Sequence, residues 1–228
     1  MTCKPCSSFA KNGRSEHTYR LTPGERRPMI SRWIRTWDAR CLAPLVSGLQ
    51  NAGITPNALT LLGLASEAAA GLLLALDRWV LAVGLLVAGQ IFDSLDGELA
   101  RLRGDASPAG AFLDSVCDHY GDLAVYLGLL WHSLQIASCP DAVLIMVALF
   151  GSVFGSHVRS RAGMAGVDTK RVGIFTRFER SLVLAAGILT NQVMWALWAL
   201  AIVNNFSALK RIVYTMKASQ NRSGTAAG

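Results

Sequence analysis

Charged residues are scarce in this sequence. Asp, Glu, Lys and Arg make up 16% of the 228 residues, whereas hydrophobic residues make up 52% and the mean hydropathy is +0.35. An ordinary soluble domain carries more charge and fewer apolar residues than this. The composition therefore excludes a typical soluble domain and indicates an integral membrane protein.

The sequence also lacks the patterns typical of a disulfide framework and of a signal peptide. The five cysteines are an odd number, which indicates a reducing environment for most of the chain. Cys3 and Cys6 form one C-x-x-C pair, and a zinc site of this type needs a second pair. Residues 1–28 are polar and basic without an apolar core, so we expect a disordered arm and no cleavable signal peptide.

Residues 29–53 have the pattern of an amphipathic helix. Arginines separate apolar residues that recur every three or four positions, namely Ile30, Trp33, Ile34, Trp37, Cys41 and Leu42. A helix of this kind lies on a membrane surface with its apolar face buried among the lipids. We therefore predict a juxtamembrane helix before the first membrane span.

Six long apolar segments follow, and each is long enough to cross the hydrocarbon layer of about 30 Å. They lie at about 56–77, 79–102, 108–136, 141–162, 173–191 and 192–214. The fifth contains several charges in its first turns. The sequence thus predicts an all-α fold with six transmembrane helices. The membrane domain is expected over 29–217, with a flexible tail over 218–228 and no room for a second soluble domain.

The basic residues predict the orientation in the membrane. With six spans and a cytoplasmic N-terminus, every Lys and Arg except Arg78 falls on the cytoplasmic side, as the positive-inside rule requires. Both termini are therefore expected in the cytoplasm. Because these residues border apolar spans, they suit anionic lipid head groups and phosphorylated substrates, and a nucleic-acid partner is excluded.

Four aspartates interrupt the second and third apolar segments. Asp93 and Asp96 are three residues apart, and Asp114 and Asp118 are four apart, so each pair lies on one face of a helix. A short turn joins the two segments, which makes them antiparallel neighbours whose acidic faces can meet. Clustered carboxylates within a membrane repel unless cations neutralise them. Hard oxygen ligands in this number suit Mg²⁺ or Mn²⁺.

The residues around these aspartates resemble the CDP-alcohol phosphotransferase family of membrane enzymes. The family motif D-x2-D-G-x2-A-R-x8-G-x3-D-x3-D is matched without a gap by Asp93, Asp96, Gly97, Ala100, Arg101, Gly110, Asp114 and Asp118. The wider resemblance covers residues 30 to about 215. It implies transfer of a substituted phosphate from a CDP-linked donor, most simply CDP-diacylglycerol, to an alcohol with release of CMP.

The resemblance also implies roles for the aspartates. Asp93 and Asp114 would bridge two divalent ions, Asp96 would bind the first ion and Asp118 the second. Asp118 would in addition be the catalytic base that takes the proton of the acceptor hydroxyl. An ion or proton pathway of a transporter and an inactive family member are the alternatives to this interpretation of the four aspartates.

Further residues are expected to bind the two substrates. The donor would contact the motif residues Gly97, Ala100, Arg101 and Gly110, together with Ser107 in the loop and Asn57 and Thr60 of "TPNALT". The stretches "SHVRSRAG" and "TRFER" resemble the acceptor-phosphate residues of phosphatidylinositol-phosphate synthases. They contain Ser156, Arg159, Arg161, Arg177 and Arg180. Anchoring on lipid phosphates is the alternative role of these arginines.

The acceptor remains open at this point. The motif is compatible with a phosphorylated polyol as the acceptor, such as inositol phosphate or glycerol phosphate. It is equally compatible with an uncharged alcohol as the acceptor, or with a soluble CDP-alcohol in place of CDP-diacylglycerol as the donor. The resemblance places the enzyme in the cell inner membrane with its site facing the cytoplasm. The sequence neither favours nor opposes a homodimer, and it does not assign the basic N-terminal arm a role.

Overall fold

The chain forms an all-helical fold. The computed structural model describes residues 45–105, 107–169 and 172–226. The long helices of these ranges are α1 Pro56–Ala75, α2 Trp79–Arg103, α3 Pro108–Gln135, α4 Cys139–Met164, α5 Arg177–Leu189 and α6 Val193–Ala226. A short helix at 45–51 precedes them. The rest of the predicted juxtamembrane helix, at 29–44, lies outside the described residues.

The helices α1 and α3 begin with the same capping arrangement. The Thr55 hydroxyl accepts a hydrogen bond from the Ala58 amide, and the Ser107 hydroxyl accepts one from the Gly110 amide at 3.0 Å. Proline occupies the first turn of both helices, where its missing N–H leaves no hydrogen bond unmade. The two starts are therefore well defined, and they bring "TPNALT" and Ser107 to the same end of the bundle.

The helix α5 begins four residues later than the predicted segment 173–191. Thr176 and Glu179 form a capping box, in which each side chain accepts a hydrogen bond from the backbone N–H of the other residue. This arrangement satisfies two backbone donors that a helix start otherwise leaves unpaired. It places Arg177 in the first turn of α5.

The C-terminal helix is longer than the sequence pattern predicts. Helix α6 continues to Ala226. Most of the segment 218–228, which was predicted to be a flexible tail, is therefore helical. Residues 192–223 contain neither proline nor glycine, and nothing in this stretch therefore stops the helix.

The helices pack in a defined order around a shared apolar core. Helix α1 lies against α2 and α3, α4 lies against α3 and α6, and α5 lies against α2 and α6. Leu74, Leu129 and Leu200 are buried in this core. Glycine pairs allow the closest approach: a Cβ on Gly128 would come within 2.7 Å of the Gly71 carbonyl carbon. Small residues of this kind are typical of helix contacts in membranes.

Four helices of the described part are long and apolar enough to cross a membrane. These are Pro56–Ala75, Trp79–Arg103, Cys139–Met164 and the part of α6 from Val193 to Gln220. Large apolar side chains cover their outer surfaces, and Val80 and Trp195 are each 73% exposed. Such exposure suits lipid and not water. The chain is therefore an integral membrane protein.

The other two predicted spans differ from these four. Helix α3 has 28 residues but carries three aspartates among its apolar side chains. Helix α5 has 13 residues, which correspond to a length of about 20 Å and fall short of the hydrocarbon thickness of about 30 Å. The structure thus supports four spans by length and composition.

Candidate active site

Three of the four motif aspartates converge at one end of the bundle. Carboxylate oxygens of Asp93 on α2 and of Asp114 and Asp118 on α3 lie within 4.8 Å of one another. The three side chains are half-buried. The three- and four-residue spacings place each aspartate pair on one face of its helix. The acidic faces of the two neighbouring helices meet, as predicted.

Asp96 lies outside this group of three. Its Oδ2 accepts a hydrogen bond of 2.5 Å from the Thr60 hydroxyl on α1, and Asp96 is 6% exposed. Thr60 was expected to contact the CDP-linked donor substrate. In the structure its hydroxyl orients the carboxylate of the motif residue Asp96. The Pro56 carbonyl of the preceding turn lies 3.2 Å from the same hydroxyl and is the alternative acceptor for its single proton.

The carboxylate cluster has the chemistry of a divalent-cation site. Asp114 Oδ1 is buried and accepts no hydrogen bond from the described residues. Burying a carboxylate oxygen without a hydrogen-bond partner costs free energy. Coordination of a cation by this oxygen would offset that cost. Mg²⁺ and Mn²⁺ prefer such hard oxygen donors. The residues present therefore fit a divalent metal.

A large cavity of about 610 Å³ opens beside Asp96 and Asp114. Six of the seven residues expected to contact the donor line it, namely Asn57, Thr60, Gly97, Ala100, Ser107 and Gly110. The seventh, Arg101, is outside the lining: its guanidinium pairs with Glu98 at 2.6 Å, and its side chain is 59% exposed. A cavity of this size is in the usual range for a small-molecule site.

A smaller cavity of about 130 Å³ lies beside Asp118. Ser156, Arg159, Arg177 and Arg180 line it, four of the five residues expected to bind an acceptor phosphate. Arg161 does not; it is exposed near the end of α4. Arg161 lies two positions after Arg159 in the chain, which turns it to a different face of the helix.

Arg177 connects the carboxylate cluster to α1. Its Nη1 lies 2.6 Å from Asp118 Oδ1 and 3.4 Å from Asp93 Oδ1, and its Nη2 lies 2.5 Å from Glu67 Oε2. Glu67 also accepts a hydrogen bond of 3.0 Å from Gln90 Nε2. This buried carboxylate was not among the expected site residues. Its position in the middle of an apolar span was the one signal for it.

Asp122 organises the wall of the smaller cavity. Its Oδ2 accepts a hydrogen bond of 2.8 Å from Ser152 and lies 3.3 Å from Arg180 Nη2, while Arg180 also donates to the Ser152 hydroxyl. These contacts link α3, α4 and α5. They hold the Arg180 side chain against the cavity, so a charged group is presented in a defined position.

Arg211 is a cavity residue that the sequence pattern did not single out. It is 8% exposed on α6, lines the smaller cavity, and donates from Nη1 to the Gly155 carbonyl at 2.8 Å. Together with Arg159, Arg177 and Arg180 it gives this cavity a strongly basic wall. His119, which follows Asp118 in the sequence, lines the same cavity.

Comparison with known proteins assigns the family. Residues 53–206 match the family model of the CDP-alcohol phosphatidyltransferases. The archaetidylinositol phosphate synthase of Pyrococcus horikoshii is 32% identical over 74% of this chain and 87% of its own length. The phosphatidylinositol phosphate synthase of Mycobacteroides abscessus is 32% identical over 76% of this chain and 83% of its own.

Solved structures agree with this assignment. The phosphatidylinositol phosphate synthase of Mycobacterium tuberculosis, crystallised with CDP-DAG, has a TM-score of 0.72 and 28% identity, covering 78% of this chain and 94% of its own. A second structure of that enzyme, with manganese and citrate, has a TM-score of 0.70. By sequence, fold and the aspartate motif, the chain belongs to the CDP-alcohol phosphatidyltransferase family of transferases.

Proposed function

We propose that the protein transfers a phosphatidyl group from CDP-diacylglycerol to a hydroxyl group of an inositol phosphate and releases CMP. One observation carries this proposal. Asp114 and Asp118 lie one turn apart on α3, and Asp114 lines the large cavity while Asp118 lines the small basic one. Two substrates bound in these cavities would therefore meet at the carboxylate cluster.

The large cavity is assigned to the CDP-linked donor. Gly97 and Ala100 leave its wall without bulky side chains, and Asn57 and Ser107 offer polar groups to the nucleotide and its phosphates. Gly110 leaves space beside the Ser107 hydroxyl that caps α3, since a Cβ at position 110 would lie 3.3 Å from this oxygen. Arg101 remains part of this assignment only if its exposed guanidinium leaves Glu98 for the donor phosphates.

The divalent cations are assigned to the motif aspartates. Asp93, Asp114 and Asp118 would hold them together with Asp96, and two ions would balance the four carboxylate charges. When bound, the cations supply positive charge that stabilises the leaving CMP. The relative with manganese in its crystal structure supports this assignment.

The small basic cavity is assigned to the acceptor phosphate. Arg159, Arg177, Arg180 and Arg211 line it, and guanidinium groups match the geometry of phosphate oxygens. Ser156 adds a hydroxyl to the same wall. Arg177 and Arg180 already pair with carboxylates, whereas Arg159 and Arg211 form no ion pair with the described residues. A phosphorylated polyol would supply the anion for these two arginines, so the charge of the cavity favours it over an uncharged acceptor.

Asp118 is assigned the role of general base. Its carboxylate would take the proton of the acceptor hydroxyl, and the resulting alkoxide oxygen would attack the β-phosphorus that carries the diacylglycerol group. The bond from this phosphorus to the oxygen of the α-phosphate would break, and CMP would leave with the electron pair. Holding both substrates at α3 makes this attack effectively intramolecular.

The membrane arrangement follows from the same assignment. We propose six membrane crossings, with α3 and α5 completing the bundle, the helix at 29–53 on the membrane surface, and the family domain over 29–217. The site end of the bundle, both termini and the basic residues would face the cytoplasm at the inner membrane. Anionic lipids would surround this end. A homodimer would form through the outer surfaces of α1–α6.

The acceptor can be identified by CMP release from the purified protein in lipid micelles. CDP-diacylglycerol and Mn²⁺ would be supplied with inositol phosphate, glycerol phosphate or inositol. We expect release with inositol phosphate, and we expect Arg159→Ala to raise its KM about tenfold, the value of one charged hydrogen bond. Arg161→Ala is the matched control and should leave KM unchanged. Equal release with unphosphorylated inositol would reject the assignment of the basic cavity.

A further inference from the structure

Glu67 is the one acidic residue in the membrane interior of α1, and the proposed reaction gives it no role. Its side chain is 5% exposed, and each carboxylate oxygen has one defined donor. Gln90 Nε2 donates to Oε1 at 3.0 Å, and Arg177 Nη2 donates to Oε2 at 2.5 Å. A buried carboxylate with two aligned donors is held in one orientation.

Two glycines make room for this ion pair. A Cβ on Gly89 of α2 would lie 2.9 Å from Glu67 Cγ, and a Cβ on Gly121 of α3 would lie 2.9 Å from Glu67 Cδ and 3.2 Å from Arg177 Nη2. Real Cβ atoms essentially never make contacts shorter than 3.0 Å. The two neighbouring helices therefore leave space that the Glu67–Arg177 pair fills.

The same guanidinium contacts two of the three clustered aspartates. Arg177 Nη1 lies 2.6 Å from Asp118 and 3.4 Å from Asp93, and the Arg177 side chain is 15% exposed. A cation in this position competes with a divalent ion for the carboxylates and repels it in a poorly screened environment. Glu67 offsets the charge of Arg177 through Nη2, whereas the two aspartates contact Nη1. It leaves the negative charge of the cluster available to metal.

From these contacts we propose that Glu67 is a positioning residue that acts through Arg177. It neutralises and holds the guanidinium, and in this way it raises the affinity of the Asp93, Asp114 and Asp118 cluster for divalent cations. The inference rests on the proposed function in one respect, because that function needs a cation at these aspartates. A purely structural ion pair would stabilise the bundle without changing cation affinity.

The test is Mn²⁺ binding without substrates, measured from the electron paramagnetic resonance signal of free Mn²⁺. Glu67→Gln leaves the charge of Arg177 uncompensated beside the cluster, and we expect affinity to fall about tenfold, as for residues that support metal ligands. Ser66→Ala is the matched control. Ser66 is the preceding buried polar residue of α1, and its hydroxyl donates to the Leu85 carbonyl, away from the cluster. It should bind Mn²⁺ as the wild type does.

A double-mutant comparison distinguishes action through Arg177 from a direct effect. In an Arg177→Gln background, Glu67→Gln should change Mn²⁺ affinity less than about twofold, because the charge that Glu67 offsets is gone. An equal loss in both backgrounds would overturn the inference. Glu67→Asp keeps the charge at a shorter reach and should recover part of the affinity that Glu67→Gln loses.

A steric variant covers the case in which Glu67→Gln does not fold. Gly121→Ala would push the Glu67 carboxylate away from Arg177, and it should lower Mn²⁺ affinity in a monodisperse, helical protein. Wild-type affinity in either folded variant would overturn the role of Glu67 and leave the proposed reaction intact. Failure of the wild type itself to bind Mn²⁺ would overturn both.

Discussion

The contact between α1 and α3 yields a quantitative prediction, because both helices line the large cavity. A Cβ on Gly128 would come within 2.7 Å of the Gly71 carbonyl carbon and 2.9 Å of the Gly71 Cα. Both atoms belong to backbone, so no side chain can rotate away. Gly128→Ala must therefore separate α1 from α3.

The size of the effect can be estimated from packing. Forcing a methyl group into a filled contact costs about 1–3 kcal/mol, and a contact with backbone belongs at the upper end. Replacing a helical glycine by alanine returns about 1 kcal/mol. We expect a net destabilisation of about 2 kcal/mol, which corresponds to a Tm lower by about 4–8 °C.

Gly84→Ala supplies the matched control. Gly84 lies on α2 with nothing within 4 Å of its hypothetical Cβ, so this variant keeps the helical gain and has no clash. Its Tm in detergent, followed by helical circular dichroism or by monodispersity after heating, should be equal to or above that of the wild type. Equal Tm values for the Gly128 and Gly84 variants would refute the close packing of α1 and α3.

Three further predictions concern the site. Asp114→Asn should weaken Mn²⁺ binding by more than about tenfold in an equilibrium titration, because even residues that only support metal ligands cost 10–100-fold; wild-type affinity would remove Asp114 from the cation site. Thr60→Val deletes the hydrogen bond to Asp96 and should raise the KM for CDP-diacylglycerol about tenfold, a value that initial rates of CMP release would check. Arg180→Ala should raise the KM for inositol phosphate about tenfold. The control Ser152→Ala removes an uncharged neighbour and should change this KM less than about threefold. A larger change of KM in Ser152→Ala than in Arg180→Ala would contradict a charged acceptor.

Much of the site was predictable from the sequence because its residues lie close together along the chain. Asp93 and Asp114 are separated by one turn between neighbouring helices, so helical periodicity places their faces together. The cap residues Thr55 and Ser107, each followed by proline, mark the starts of the two helices that line the large cavity. Local patterns were sufficient in these cases.

Other residues depend on contacts that no local pattern contains. Glu67 and Arg177 are 110 positions apart, and their pairing follows from the packing of α1 and α5 against α2. Arg211 has the sequence surroundings of a basic residue at a membrane surface, and only the space left by Gly155 and Gly173 brings it into the small cavity. The start of α5 was predictable from the capping box in "TRFE", although hydropathy alone extended this segment to residue 173.

The most direct test of the account compares CMP release by the wild type and Asp118→Asn. Both proteins would receive CDP-diacylglycerol, inositol phosphate and Mn²⁺, with Tyr120→Phe, an exposed residue of the same helix, as the control. We expect metal-dependent release by the wild type and the control. Asp118→Asn should be slower by at least about 100-fold, the usual contribution of a general base. Wild-type release by Asp118→Asn would contradict the assignment of the reaction to this carboxylate cluster.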